Sequence, residues 1–309
     1  MRQILLTLFV LLPFLGLSQQ LSSGTPLQNY RFVWNPAMTA AWEYWETGVS
    51  FRQEWLGFEG APQTATIHGQ YPFIRENMSL GGFFMYDDVG PIRFSTLAAT
   101  YSYKFEPGFV RDDQLSIGVM AMMNQFFIDG LDVKVRDEDD ALLLVNESSQ
   151  FKPNAGIGIF YTTYARDTYR KTYYYAGIAA NQLLPSDVTF ENVGSEGNLK
   201  RVIHANATLG ARFVNDEFFV EPSLWFNYAA PNLLNALLSI RVERYQAFWA
   251  ALSFATDQTM GIQVGYIVPK LWDKDGEMHI GLRGSYNIGD FGRARGMGFE
   301  AYVGYWFEL

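Results

Sequence analysis

The run from Arg201 to Phe213 constrains the fold more than any other part of the chain. Ile203, Ala205, Ala207, Leu209, Ala211 and Phe213 take alternate positions, and His204, Asn206, Thr208, Gly210 and Arg212 take the positions between them. Side chains of a strand point to opposite faces in turn, so this run makes one apolar face and one polar, partly charged face. It is long for a strand in a soluble domain and suits a strand that crosses a bilayer at a tilt.

The pattern recurs. Leu115, Ile117, Val119, Ala121 and Met123 oppose Gln114, Ser116, Gly118 and Asn124. Ile280 and Leu282 oppose His279, Arg283 and Ser285, and Phe299, Ala301, Val303, Tyr305 and Phe307 oppose Glu300, Tyr302 and Gly304. Alternation and turn residues together give about fourteen strands. They are expected at 44–55, 64–71, 78–86, 95–105, 114–128, 154–164, 172–182, 202–214, 218–227, 234–243, 247–254, 260–268, 278–287 and 298–307. In lipid an open sheet edge leaves unpaired N–H and C=O groups, so the strands must close on themselves. The fold class is therefore all-β: a transmembrane, antiparallel, up-and-down barrel. A soluble sandwich or propeller would also alternate, but its apolar faces would meet in a protein core. Strand length and the order of the loops favour the barrel. Asn215 to Glu217 and Arg244 to Gln246 are tight turns, whereas 129–153 and 183–201 are long and rich in Asp, Glu, Asn, Ser and Gly. With a periplasmic N-terminus, both tight turns fall in the periplasm and both long loops outside, as is usual for such barrels.

Residues 1–18 read as a secretory signal peptide. Arg2 supplies a positive start, and the run from Ile4 to Leu17 is apolar but for Thr7, Pro13 and Gly16. Cleavage is expected after Ser18. Residues 19–43 then form an N-terminal periplasmic segment, and 44–309 the outer-membrane barrel. The chain has no cysteine, which excludes disulfides, thiolate metal sites and a cysteine-linked lipid anchor. Aromatic residues make up 17% of it, enough for a girdle at each membrane interface. A net charge of −9 disfavours a nucleic-acid partner.

On this strand map the polar face collects Glu46, Arg52, Glu54, His204, Arg212, His279, Arg283 and Glu300 in the lumen. Either these charges pair across the lumen and fill it, or they line a path for a solute. Interleaved signs, with no ring of one charge, favour pairing. His68, His204 and His279 are isolated in sequence, and no metal or other cofactor is expected. Asp137 to Asp140 and Asp273 to Glu277 read as a solvated loop and a hairpin turn rather than calcium loops. No Gly-x-Ser-x-Gly elbow or phosphate-cradling loop occurs, so no catalytic residue is assigned. Gly81 and Gly82 lie inside a strand, where glycine marks a bend or close packing.

The N-terminal third carries a distinctive order of short motifs. Trp34, Asn35, Pro36 and Ala37 precede the first strand. Arg52, Gln53, Glu54 and Trp55 end it, and Gly60, Ala61, Pro62, Gln63 and Thr64 lead into the second. Gly81 and Gly82, then Asp87 to Gly90, then Tyr101 to Lys104 follow. This order resembles the PorP/SprF family of type IX secretion system membrane proteins of the Bacteroidetes. Two departures are Glu54, inserted before Trp55, and the sequence Met38, Thr39, Ala40 after the Asn-Pro-Ala segment. The resemblance implies a non-enzymatic outer-membrane barrel serving gliding or protein secretion. It implies two kinds of partner: a secreted surface adhesin with a type B C-terminal domain, and type IX components including a periplasmic peptidoglycan-associated lipoprotein. The long loops would meet the external partner, with Phe151 and Phe190 as anchors. The Asn-Pro-Ala segment either plugs the lumen, braces the barrel against a periplasmic partner, or only shapes the approach to the first strand. A general porin or small-solute channel is the alternative function.

Overall fold

The computed structural model describes residues 30–129, 147–163, 171–184, 187–188, 199–200, 202–229, 233–270, 276–289 and 296–308. Fourteen strands close into one cylinder: β1 Tyr44–Gln53, β2 Gln63–Phe73, β3 Met78–Val89, β4 Ile92–Phe105, β5 Gln114–Ile128, β6 Lys152–Thr162, β7 Thr172–Asn181, β8 His204–Val214, β9 Phe218–Ala229, β10 Leu233–Arg244, β11 Phe248–Ala255, β12 Thr259–Val268, β13 Gly276–Asn287 and β14 Met297–Glu308. Each strand pairs antiparallel with its sequence neighbours, and β1 pairs with β14 from Tyr44↔Glu308 to Gln53↔Phe299. That last ladder removes the sheet edge, as lipid requires. Among the described residues no helix is long and apolar enough to cross a membrane. The crossing is made by strands.

Burial follows the alternation read from the sequence. In β4, Thr96, Ala98, Thr100, Ser102 and Lys104 are buried and point inward, while Leu97, Tyr101, Tyr103 and Phe105 are exposed outward. In β8, Asn206 and Thr208 are buried, and Leu209 and Phe213 are exposed. The exposed apolar band is the lipid face. Aromatic residues rim it at the end that holds both termini, with Trp45, Tyr71, Tyr103, Tyr174, Phe248 and Tyr266 all outward.

Several strand ends differ from expectation, for local reasons. β1 stops at Gln53 because Trp55 adopts a left-handed conformation (φ 51°). β3 and β4 run three residues further, joined at a tight turn where Val89 pairs with Ile92 and Gly90 has φ 58°. Asp87 and Asp88 therefore lie in the strand rather than in the turn. There Arg93 sits 3.7 Å from Asp88 and 3.1 Å from Asp129 on the outer face. A charged outer face marks where these strands leave the lipid. The β8–β9 ladder skips Ala211 and Arg212 without changing register, because Pro222 has no N–H to offer.

Residues 30–42, expected in a periplasmic segment, lie inside the cylinder. Tyr30, Arg31, Phe32, Val33, Asn35, Ala37, Met38, Thr39, Ala40 and Ala41 are buried there. Two short 3₁₀ turns, Arg31–Val33 and Pro36–Met38, fold this segment into a plug. Residues 1–18, expected to be a signal peptide, and the acidic run at 137–140 lie outside the described residues.

Candidate functional site

The plug and the wall it meets form the candidate site. Asn35 organises it. Its Oδ1 accepts the Ala37 amide at 2.9 Å, capping the second 3₁₀ turn, while Pro36 fits the first position of that turn. Its Nδ2 donates to the backbone carbonyls of Ile159 and Ile178, at 3.2 and 3.4 Å, on β6 and β7. Trp34 O accepts from Asn181 Nδ2 at 2.8 Å and Asn206 Nδ2 at 3.3 Å. Thr39 Oγ1 donates to Pro36 O at 2.7 Å and accepts from Thr100 Oγ1 at 2.9 Å. Lys104 Nζ donates to Ala40 O at 2.6 Å, and the Ala40 amide donates to Gln70 Oε1 at 2.6 Å.

This approach is possible because the wall lacks side chains there. A Cβ on Gly118 would stand 2.2 Å from Ala37 N, and one on Gly158 would stand 2.0 Å from Asn35 Oδ1. A Cβ on Gly177 would stand 2.9 Å from Asn35 Nδ2. Gly118 and Gly158 are direct partners across the β5–β6 ladder, so the three glycines form one notch. Gly81 does the same on β3, against Thr39 and Phe32.

Three buried polar clusters tie the plug to the rest of the wall. In the first, the Arg31 and Arg212 guanidinium groups both meet Glu221, with Arg212 Nε donating to Oε2 at 2.8 Å. Tyr175 O–H donates to Glu221 Oε1 at 2.8 Å. Burial works against the charge on Arg31, but the Glu221 carboxylate outweighs it and raises the guanidinium above the ordinary arginine value. Arg212 also stacks over Phe219 and Trp42, at 4.2 and 4.7 Å.

In the second cluster, Arg52, Glu300 and Arg283 form one row across β1, β14 and β13. Arg52 pairs with Glu54, Arg283 lies 3.9 Å from Glu300, and Tyr30 O–H donates to Glu300 Oε1 at 3.2 Å. Burial, then the Glu300 charge, pushes the Tyr30 phenol well above its usual range. In the third, Glu46 accepts from Tyr302 O–H at 3.0 Å and from Gln70, and lies 3.2 Å from His68 Nε2.

The charged residues singled out from sequence thus divide among these clusters rather than meeting at one centre. His204 faces inward on β8. His279 is buried on β13, stacked on Trp306 at 4.0 Å and 3.4 Å from Glu277. The family-motif residues also part company. Asn35, Pro36 and Ala37 are in the plug, while Trp55, Gly60, Ala61 and Pro62 shape the β1–β2 connection at the opposite end. There Pro62 O accepts the Glu54 amide at 2.9 Å and Gly60 O accepts the Gly90 amide at 3.0 Å. Phe151 is exposed before β6, and Phe190 lies outside the described residues. Sequence reading did not single out Tyr30, Arg31, Glu221, Tyr175 or the glycine notch. Inward parity in β9 was the available signal for Glu221.

Beneath the plug, at the end holding the termini, a cavity of about 390 Å³ opens between Arg31, Trp42, Tyr44, Arg212, Arg241 and Glu277. Among the described residues no group of three or more His, Asp or Glu side chains is placed to hold a metal ion.

A family model described as type IX secretion system membrane protein PorP/SprF matches residues 17–305. No curated protein matches the chain in sequence. The fold is similar to that of the toluene transporter TodX of Pseudomonas putida, at 11% identity and a TM-score of 0.55, over 91% of this chain and 94% of that one. It is likewise similar to the CymD monoaromatic hydrocarbon channel, at 12% identity and a TM-score of 0.54, over 91% and 93% of the two chains. At such identity the likeness concerns the barrel fold alone.

Proposed function

The chain belongs to the PorP/SprF family of type IX secretion system membrane proteins, and from that premise we propose that it is a non-catalytic outer-membrane barrel that anchors or helps display a secreted partner at the cell surface. The single observation that carries this reading is the plug. Residues 30–42 bond to walls on both sides of the lumen, from Gln70 on β2 and Thr100 on β4 to Asn206 on β8 and Glu221 on β9. A barrel crossed by its own chain, with inward charges gathered into ion-paired clusters, suits a scaffold better than a conduit for solutes. That weighs against the porin alternative.

In this reading the signal peptide delivers the chain to the periplasm, and the end holding both termini faces the periplasm. A peptidoglycan-associated lipoprotein of the secretion machine meets that end. The connections 129–153 and 183–201 face outward and receive a surface protein with a type B C-terminal domain, Phe151 and Phe190 contributing anchors. Acidic residues in these loops select a basic partner surface.

Two measurements test it. Purified barrels in planar bilayers should show no steady large conductance; a wide, permanently open pore would reject the scaffold role. Deleting most of 183–201 should leave a folded, heat-modifiable barrel in the outer membrane but lower the amount of secreted protein retained at the cell surface. Full retention would remove that loop from the partner interface.

A further inference from the structure

The β4–β5 connection, residues 106–113, inverts the usual burial rule. Phe109 at its tip is 76% exposed and Val110 40%, while Asp113 is only 1% exposed. In water the exposed Phe109 ring gains nothing from burial, and the buried carboxylate rests on the donors that meet it. The turn is not slack, either. Asp113 accepts the backbone amides of Gly108, Phe109 and Val110 at 3.0, 3.0 and 3.1 Å, and the Tyr161 hydroxyl at 2.9 Å. Gly108 and Asp112 take left-handed conformations (φ 74° and 58°) that fold the turn tightly around that carboxylate. The connection therefore holds an apolar tip out from the barrel in a fixed pose.

The direction of the tip identifies its surroundings. The Phe109 ring lies 6.1 Å from the ring of Tyr161. Tyr161 follows Ile157 and Ile159 on the lipid face of β6, and Phe105 ends the lipid face of β4 just before the turn. Phe109 and Val110 thus continue an established apolar band past the last residues of the strands, away from the lumen and its plug. We propose that residues 106–113 form a preformed membrane hook, with Phe109 and Val110 entering the interface between phospholipid headgroups and acyl chains and Asp113 acting as its latch. The hook would fix the depth and tilt of the barrel at the end that holds the plug's exit, without contributing a membrane-spanning residue.

The chain has no cysteine, so single substitutions label one site each. Phe109→Cys, Leu97→Cys on the lipid face and Asp216→Cys in the β8–β9 turn would each carry an environment-sensitive fluorophore. The full-length barrels would be placed in phosphatidylethanolamine–phosphatidylglycerol vesicles with and without brominated acyl chains. The label at 109 should emit to the blue of that at 216 and be quenched by shallow bromines, approaching the Leu97 site. Adding Asp113→Asn should return the 109 label toward the 216 signal while the barrel stays heat-modifiable. A 109 label that matches the 216 label in emission and quenching overturns the hook. So does a blue-shifted label that bromines leave untouched, since protein rather than lipid would then cover the tip. An unchanged signal in the Asp113→Asn background removes the latch.

Discussion

Adding two methyl groups inside the barrel should open it. Gly118→Ala and Gly158→Ala place a Cβ 2.2 Å from Ala37 N and 2.0 Å from Asn35 Oδ1. Non-bonded heavy atoms rest roughly 3.5 Å apart, so the plug must retreat by about 1.5 Å. The Asn35 donor bonds, already 3.2 and 3.4 Å long, then pass out of hydrogen-bond range. Ser102 also loses its 3.3 Å bond to Ala37 O. Three bonds at about 0.5–1.5 kcal/mol each, plus a stranded buried amide, give a loss of roughly 3–5 kcal/mol for the double variant. That shifts the ratio of docked to undocked plug by about a hundredfold or more. Single-channel recording should show openings that the parent barrel lacks, while heat-modifiability reports an intact cylinder. Gly284→Ala is the matched control, because a Cβ there meets nothing within 4 Å. If the double variant folds and stays as closed as the control, the notch does not seat the plug. If the parent barrel already conducts as the variant does, the segment does not close the lumen.

Glu221→Gln leaves the buried Arg31 and the part-buried Arg212 guanidinium without their carboxylate, and should destabilise the barrel by about 3 kcal/mol in urea refolding from lipid. Replacing Arg31, Glu221 and Arg212 together by Met should cost far less, since no lone charge remains. Leu209→Arg, on the lipid face, should hinder insertion by roughly 2–4 kcal/mol, whereas Arg212→Leu, on the inner face, should insert normally and weaken only the Glu221 cluster inside the lumen; equal insertion of the two would contradict the assigned facing. Burial alone would raise the Asp113 carboxyl, but the Tyr161 hydroxyl and three backbone amides outweigh it and hold it below its ordinary value. A depressed carboxyl contributes stability that is complete above its unfolded value, about 3.9, and lost as pH falls through the lower folded value. Protease cutting within 106–113 should therefore rise only at acid pH, and Asp113→Asn should be cut readily at every pH.

The barrel was legible because its information is local. Which face a residue occupies follows from whether its position is odd or even within a strand, and each of Leu115, Leu282 and Phe299 reports its own facing. Alternation failed where strands leave the lipid: at Arg93 and Asp88 the outer face turns charged, and the pattern no longer distinguishes strand from loop. Pairing inside the lumen is not local. Arg52, Glu300 and Arg283 form one row because three strands share a register, which no single strand records. The Asn-Pro-Ala motif was visible, but its three possible roles could not be separated from the motif alone, because what seats it is distant in sequence. The signal for that seat was an absence of side chains. Gly118, Gly158 and Gly177 all fall at inward positions of consecutive strands, where a barrel that filled its lumen with wall side chains would place bulk. A hollow pore has no use for such a notch, since side chains there would simply project into water. Glycine at all three positions makes sense once another backbone has to lie against the wall, and the only segment of the described chain that does so is the one beginning at Tyr30.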